Sequence, residues 1–272
     1  MKNFLVSPLW LHENINKNDL IILDGTQGLS SESTDVEIIP GARHFDYENS
    51  ICDTKSNLPH MLPTPEKFET ECRKLGINNS SFIVVYDAQG IFSSPRVWWM
   101  FKIMGFNNIA ILDGGLPGWI KAGFNTVIKN HSTYETGDFI SQFKPALVKD
   151  YNFIHANLSS KSSLVIDARS ENRFHGIDPE PREGLKAGHI PGSINIPYQS
   201  LLNDGFFKPV DEIKAIFSAY ELENKPLVFS CGSGVTACIL YIAAEMIMNN
   251  PMSVYDGSWT EWGQKANSPV ER

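Results

Sequence analysis

A chain that contains its own sequence twice must build the same unit twice, and this one does so in order. Residues 21–24, "IILD", match 164–167, "LVID"; "IPGARHFDYEN" from Ile39 matches "IPGSINIPYQS" from Ile190; "IVVYDAQG" from Ile83 matches "LVFSCGSG" from Leu227. "ILDGGLPGW" ending at Trp119 then matches "VYDGSWTEW" ending at Trp262. Asp24 and Asp87 lie 63 positions apart, and Asp167 and Cys231 lie 64 apart, so the halves share spacing as well as order. The pattern predicts a tandem duplication, with domains over 1–124 and 151–272 and a connecting segment over 125–150. At 272 residues and 42% hydrophobic content, each half can bury a core of its own.

Within each half, short β-branched runs bounded by turn residues ("LIILDG", "FIVVYDA", "IAILDGG"; "SLVIDAR", "PLVFSCG", "MSVYDGS") alternate with helical stretches. The helices are expected in "TPEKFETECRKLG", "PRVWWMFKIMG", "VDEIKAIFSAYE" and "VTACILYIAAEM". This alternation predicts an α/β fold, each domain a mostly parallel sheet flanked by helices. Ligands of such sheets sit beyond the carboxyl ends of strands, where strand gives way to helix. Cys231 stands at such a point.

Composition removes several function classes. The net charge of −8 is spread along the chain with no cluster of Lys and Arg, so neither a nucleic acid nor an anionic membrane is an expected partner. The first residues carry an apolar stretch too short and interrupted for a signal peptide, and no run reaches the roughly 18 apolar residues of a membrane span. A cytoplasmic, unprocessed protein is the expectation. The four cysteines have neither metal-ligand spacing nor disulfide-scaffold density. No metal or organic cofactor is expected. Cys52 and Cys72 read as exposed thiols, and Cys238, inside an apolar helix, as a buried structural one.

The stretch "SCGSGVT" carries the chemistry. A strand ends at Phe229 and a helix begins after Thr236, so loop N–H groups and the positive end of the helix converge on the Cys231 sulfur and stabilise a thiolate. Gly232 and Gly234 let the backbone curl without β-carbons in the way, and Ser233 and Thr236 add hydroxyl donors. The competing reading is a buried structural cysteine, the ordinary state of a free Cys. At the matching position the first half has Asp87, so only one half carries the sulfur. A cysteine-loop phosphatase needs an arginine six positions after its cysteine to clamp phosphate; here that position is Ala237.

These residues resemble the tandem rhodanese-like sulfurtransferases over essentially the full chain, through "IPGA", "PHMLP", "FSSPRVWWMF", "LDGGLPGW", "DAR", "PEPR", "AGHIPGSINIP" and "CGSGVTA" in that order. The resemblance implies an inactive first domain and an active second one. The loop is most similar to that of the 3-mercaptopyruvate-using members, since thiosulfate-using members carry basic residues where this chain has Gly232 and Ser233. It further implies that Cys231 takes a sulfur as a persulfide, held by Gly232, Gly234, Val235 and Thr236, with Arg173 and Arg182 on the substrate carboxylate and carbonyl. Arginine's rigid fork of donors suits that task. Glu48 and His60 match an acidic residue and a histidine that family members place near the loop serine, here Ser233. Asp46 competes with Glu48, because the family position often holds Asp and a one-residue insertion separates Glu48 from His60. The implied partners are a small-molecule sulfur donor and an acceptor: a thiol, reduced thioredoxin or cyanide. A thiosulfate:cyanide sulfurtransferase and a non-catalytic rhodanese-like module are the alternatives.

Overall fold

The computed structural model describes residues 4–29, 33, 35–129, 132–222 and 225–272. The chain divides into two compact units. The first comprises residues 1–55, 62–144 and 204–207; the second comprises residues 56–61, 145–203 and 208–272.

Each unit is built on a five-stranded sheet in which every pairing is parallel. In the first, the spatial order is Leu5–Val6, Ile109–Leu112, Phe82–Tyr86, Leu20–Asp24, Arg43–His44. In the second it is Val148–Lys149, Met252–Tyr255, Leu227–Ser230, Leu164–Asp167, Ile194–Asn195. The inner strands are apolar on both faces, as parallel strands covered by helices must be, and Leu227 to Ser230 are all buried. Register places Asp24 opposite Tyr86 and Asp167 opposite Ser230. Asp87 and Cys231 therefore emerge at the same point of their respective sheets, one residue past the middle strand.

The helices form where composition allows. Thr64 caps Pro65–Lys74 by accepting the Lys67 N–H at 3.3 Å, with proline in the first turn where no donor is lost. Its buried face is Phe68 and Cys72. The helix Ala237–Ile247 has no polar stripe, and Ala237 through Ala244 are all buried.

Two expectations are corrected here. Cys52 and Cys72 are 5% and 0% exposed rather than surface thiols, and burial pushes both thiol pKa values up, which makes them poorer nucleophiles. Nor is the stretch 125–150 a passive connection. Val127–Ile128 pairs antiparallel with Glu37–Ile38, Val148–Lys149 forms an edge strand of the second sheet, and Phe139 is fully buried in the first unit against Phe68, Phe101 and Phe106. Removing that ring leaves a cavity in an aromatic cluster. Phe139→Ala is expected to destabilise the chain by about 3 kcal/mol, read as a lower urea midpoint with an unchanged circular dichroism spectrum; an unaltered midpoint would make the stretch a simple tether.

Candidate active site

The second unit holds Cys231 by its backbone from one side. Three consecutive residues at the start of Ser258–Gln264 do this. The Ser258 hydroxyl accepts the Cys231 N–H (3.2 Å) while donating to the Tyr255 carbonyl (2.8 Å), and the Trp259 N–H donates to the Cys231 carbonyl (2.9 Å). Thr260 gives both its N–H (2.8 Å) and its hydroxyl (2.6 Å) to the Gly232 carbonyl. Ser258 pays for this position with a left-handed backbone, φ +48°. The duplicate position is Gly115, φ +53°, with the Leu116 N–H on the Asp87 carbonyl at 3.0 Å, so the turn is common to both units and only the second adds a hydroxyl.

On the other side the loop is open. Gly234 has φ +76°, a conformation that turns the chain back toward the sulfur and disfavours any side chain. Among the described residues, no group accepts the N–H of Gly232, Ser233, Val235 or Thr236. Thr236 stands at the helix N-cap without a side-chain capping bond. Cys231 is 1% exposed, whereas Gly232, Ser233 and Thr236 are half-buried. Cys238 is held as a structural thiol should be, its Sγ 3.4 Å from the Gly234 carbonyl.

The first unit's matching loop displays what such a cradle binds. Asp87, 1% exposed, takes the N–H groups of Phe92 (3.0 Å), Ser93 (3.0 Å) and Ser94 (2.8 Å) and the Ser94 hydroxyl (2.7 Å) on one carboxylate oxygen, and the Gln89 N–H (2.9 Å) on the other. Burial raises its pKa, and those donors work against the rise.

Both candidate arginines belong to the second unit. Arg173, 24% exposed, pairs with Glu180, and its Nη2 lies 3.3 Å from where a β-carbon on Gly232 would stand. Gly232 thus makes room for a guanidinium. Arg182 is exposed, with Nη1 3.5 Å from the Thr260 hydroxyl, and has no carboxylate within ion-pair distance among the described residues. Tyr198 is electrostatically coupled to Arg173 and Cys231: burial and Cys231 raise its pKa and Arg173 lowers it, burial being the largest influence.

The remaining candidates are dispersed. His60 is buried at φ +60° in the short stretch 56–61 that belongs to the second unit. Glu48 lies in the first unit and accepts the Gly28 N–H. Asp46 spends its carboxylate on its own turn, accepting from the N–H groups of Glu48 and Asn49, the Asn49 amide and the Ser50 hydroxyl. The Ser233 hydroxyl makes no hydrogen bond with any described residue.

Sequence reasoning passed over Ser258 and Thr260, although a signal was present: serine occupies a turn position where the duplicate has glycine. It also left Glu180 without a role inside the quoted "PEPR". Among the described residues, no group of three or more His, Cys, Asp or Glu side chains could hold a metal ion, and no helix is long and apolar enough to cross a membrane.

The model of the rhodanese-like domain matches residues 7–122 and again 152–265. The chain belongs to the tandem rhodanese-like sulfurtransferases. It is 38% identical over 278 residues to the 3-mercaptopyruvate sulfurtransferase of Escherichia coli (strain K12), covering 98% of each chain. It is also 38% identical over 295 residues to the mitochondrial thiosulfate/3-mercaptopyruvate sulfurtransferase 1 of Arabidopsis thaliana, covering 98% of this chain and 78% of that one. The crystal structure of a 3-mercaptopyruvate sulfotransferase from Escherichia coli superposes with a TM-score of 0.82 at 34% identity, over 94% of this chain and 99% of that one. The enzyme is therefore a sulfurtransferase of the 3-mercaptopyruvate/thiosulfate type.

Proposed function

We propose that the sulfurtransferase takes its sulfur from 3-mercaptopyruvate, carries it as a persulfide on Cys231 and passes it to a thiol, reduced thioredoxin or cyanide. The observation that carries this reading is that the N–H groups of Gly232, Ser233, Val235 and Thr236 are unspent beside Cys231, while the counterpart loop is filled by the Asp87 carboxylate. A loop that holds a carboxylate in one unit and keeps four N–H donors unspent in the other suits a thiolate and a persulfide anion in turn.

In the first step the Cys231 thiolate attacks the donor sulfur. The new S–S bond forms as the C–S bond breaks, and the bonding pair leaves on carbon as the pyruvate enolate, which is protonated to pyruvate. In the second step an acceptor thiolate or cyanide attacks the outer sulfur and returns the Cys231 thiolate. Arg182 and the free Nη1 of Arg173 orient the donor carboxylate and carbonyl. Ser233 and His60 help polarise or protonate the departing enolate. Gly234 keeps the turn, and Val235 and Thr236 supply N–H donors at the helix start.

Thiosulfate is the alternative donor. It is a dianion whose leaving sulfite calls for positive charge at the loop, and Gly232 and Ser233 supply none. Steady-state turnover with each donor, cyanide as acceptor, tests the reading: 3-mercaptopyruvate is expected to win by kcat/KM, and a preference for thiosulfate would overturn it. Ser233→Lys is expected to move the ratio toward thiosulfate by about tenfold, since one added charge near a dianion is worth that much at ligand distances. Position 232 is less suited to the same change, because a β-carbon there would stand 3.3 Å from Arg173 Nη2 and crowd that guanidinium.

A further inference from the structure

The Glu180 side chain is 2% exposed, yet it bonds two guanidinium groups. One oxygen accepts from Arg169 Nη1 at 2.7 Å and from Arg173 Nε at 3.3 Å; the other accepts from Arg173 Nη2 at 2.6 Å. Arg169 is in turn clasped by Asp167, through Nε at 3.0 and 3.1 Å and Nη2 at 2.7 Å, donates to the Gly188 carbonyl at 2.8 Å, and lies 4.3 Å above the Trp259 ring. Trp259 is the residue whose N–H holds the Cys231 carbonyl. The quartet Asp167, Arg169, Glu180 and Arg173 thus has two carboxylates against two guanidiniums and carries no net charge. Arg173 reaches the cysteine loop with its charge already offset, and Arg182 has no such partner.

We infer that Glu180 is a specificity-determining residue: by cancelling Arg173 it leaves Arg182, joined to the cysteine loop through Thr260, as the uncompensated one of the two arginines, which tunes the site to a monoanionic sulfur donor over a dianionic one. This rests on the donor reading above. A monocarboxylate needs one fork of donors and one positive charge. Thiosulfate brings two negative charges, of which the second finds neutral loop N–H donors but no second uncompensated arginine of this pair. Buried pairing makes the compensation lasting, because Arg173 cannot drop Glu180 without taking the donor from a buried carboxylate oxygen that Arg169 does not bond.

Glu180→Gln tests this, as it keeps an acceptor for Arg173 and removes the negative charge. The kcat/KM ratio of thiosulfate to 3-mercaptopyruvate is expected to rise about tenfold, the effect of one added unit charge on one extra anionic charge at ligand distances. Thiosulfate turnover should also fall more steeply with salt than in wild type. Glu180→Asp, which keeps the charge, should retain the wild-type ratio even where both rates drop. If Glu180 only positions Arg173, Glu180→Gln lowers both donors alike, with ratio and salt slope unchanged, and the inference fails. A second measurement needs no variant: as competitive inhibitors of the wild-type enzyme, pyruvate should bind more tightly than inorganic sulfate, and the reverse order overturns the one-cation account. A wild type that prefers thiosulfate would instead defeat the underlying donor reading, and that comparison is made first.

Discussion

Cys231→Ser will fold, bind donor and transfer no sulfur. The carried group is bound through an S–S bond that thiolate chemistry makes and breaks reversibly; a serine oxygen, ionising far above neutral pH, neither attacks the donor sulfur nor leaves from it. Loss of a nucleophile of this kind costs at least about 10⁴-fold in turnover. The fold should tolerate the change. Cys231 is anchored by its N–H and carbonyl, which serine retains, and a hydroxyl is smaller than a thiol. The unfolding midpoint is expected to shift by under about 1 kcal/mol. Incubation with donor, followed by intact mass, should add one sulfur atom to the wild type and none to the variant. Retained turnover, or a sulfur adduct on another cysteine, would remove Cys231 from the mechanism. The other cysteines are poorer candidates, since Cys52 and Cys72 have raised thiol pKa values and Cys238 is committed to the Gly234 carbonyl.

What the sequence disclosed follows the range of the interactions involved. Strands and helices are local, so β-branched runs such as "FIVVYDA" and the apolar helix after Thr236 were readable, and the repeat then supplied the two-unit fold. The strand-end position of Cys231 came from the same local pattern. Contacts between distant positions were not readable. Glu180 meets Arg169 across 11 positions and Ser258 meets Cys231 across 27, and neither separation follows from periodicity. Phe139 reads as part of a connection because nothing local separates it from Ile140 and Phe143, which are exposed, although its ring alone completes an aromatic cluster. Burial of Cys52 and Cys72 is equally illegible, since a cysteine's immediate neighbours do not say what packs over its sulfur.

Asp87→Ala should be among the most destabilising single changes in the first unit, although it lies outside the proposed chemistry. The carboxylate gathers three backbone N–H groups and the Ser94 hydroxyl on one oxygen and a fourth N–H on the other, at a strand-to-helix turn where Asp87, Ser93 and Ser94 are buried. Removing it strands those donors, and each buried unsatisfied donor costs about 1–3 kcal/mol. Partial relaxation of the loop reduces the sum, so a loss on the order of 4–6 kcal/mol is expected by urea unfolding. Because burial holds the Asp87 pKa above its unfolded value, the native state binds more protons than the unfolded chain in the window above the ordinary aspartate pKa. The carboxylate's contribution to stability therefore falls as pH rises through that window, and its removal should flatten this part of the pH–stability curve. Formate discriminates the cause. A cradle built for an anion should recover part of the lost stability in Asp87→Ala when formate is added, with no comparable gain for wild type. A variant that is stable without formate, or indifferent to it, would mean that the Asp87 loop is held by packing and that its likeness to the Cys231 loop is one of shape without charge.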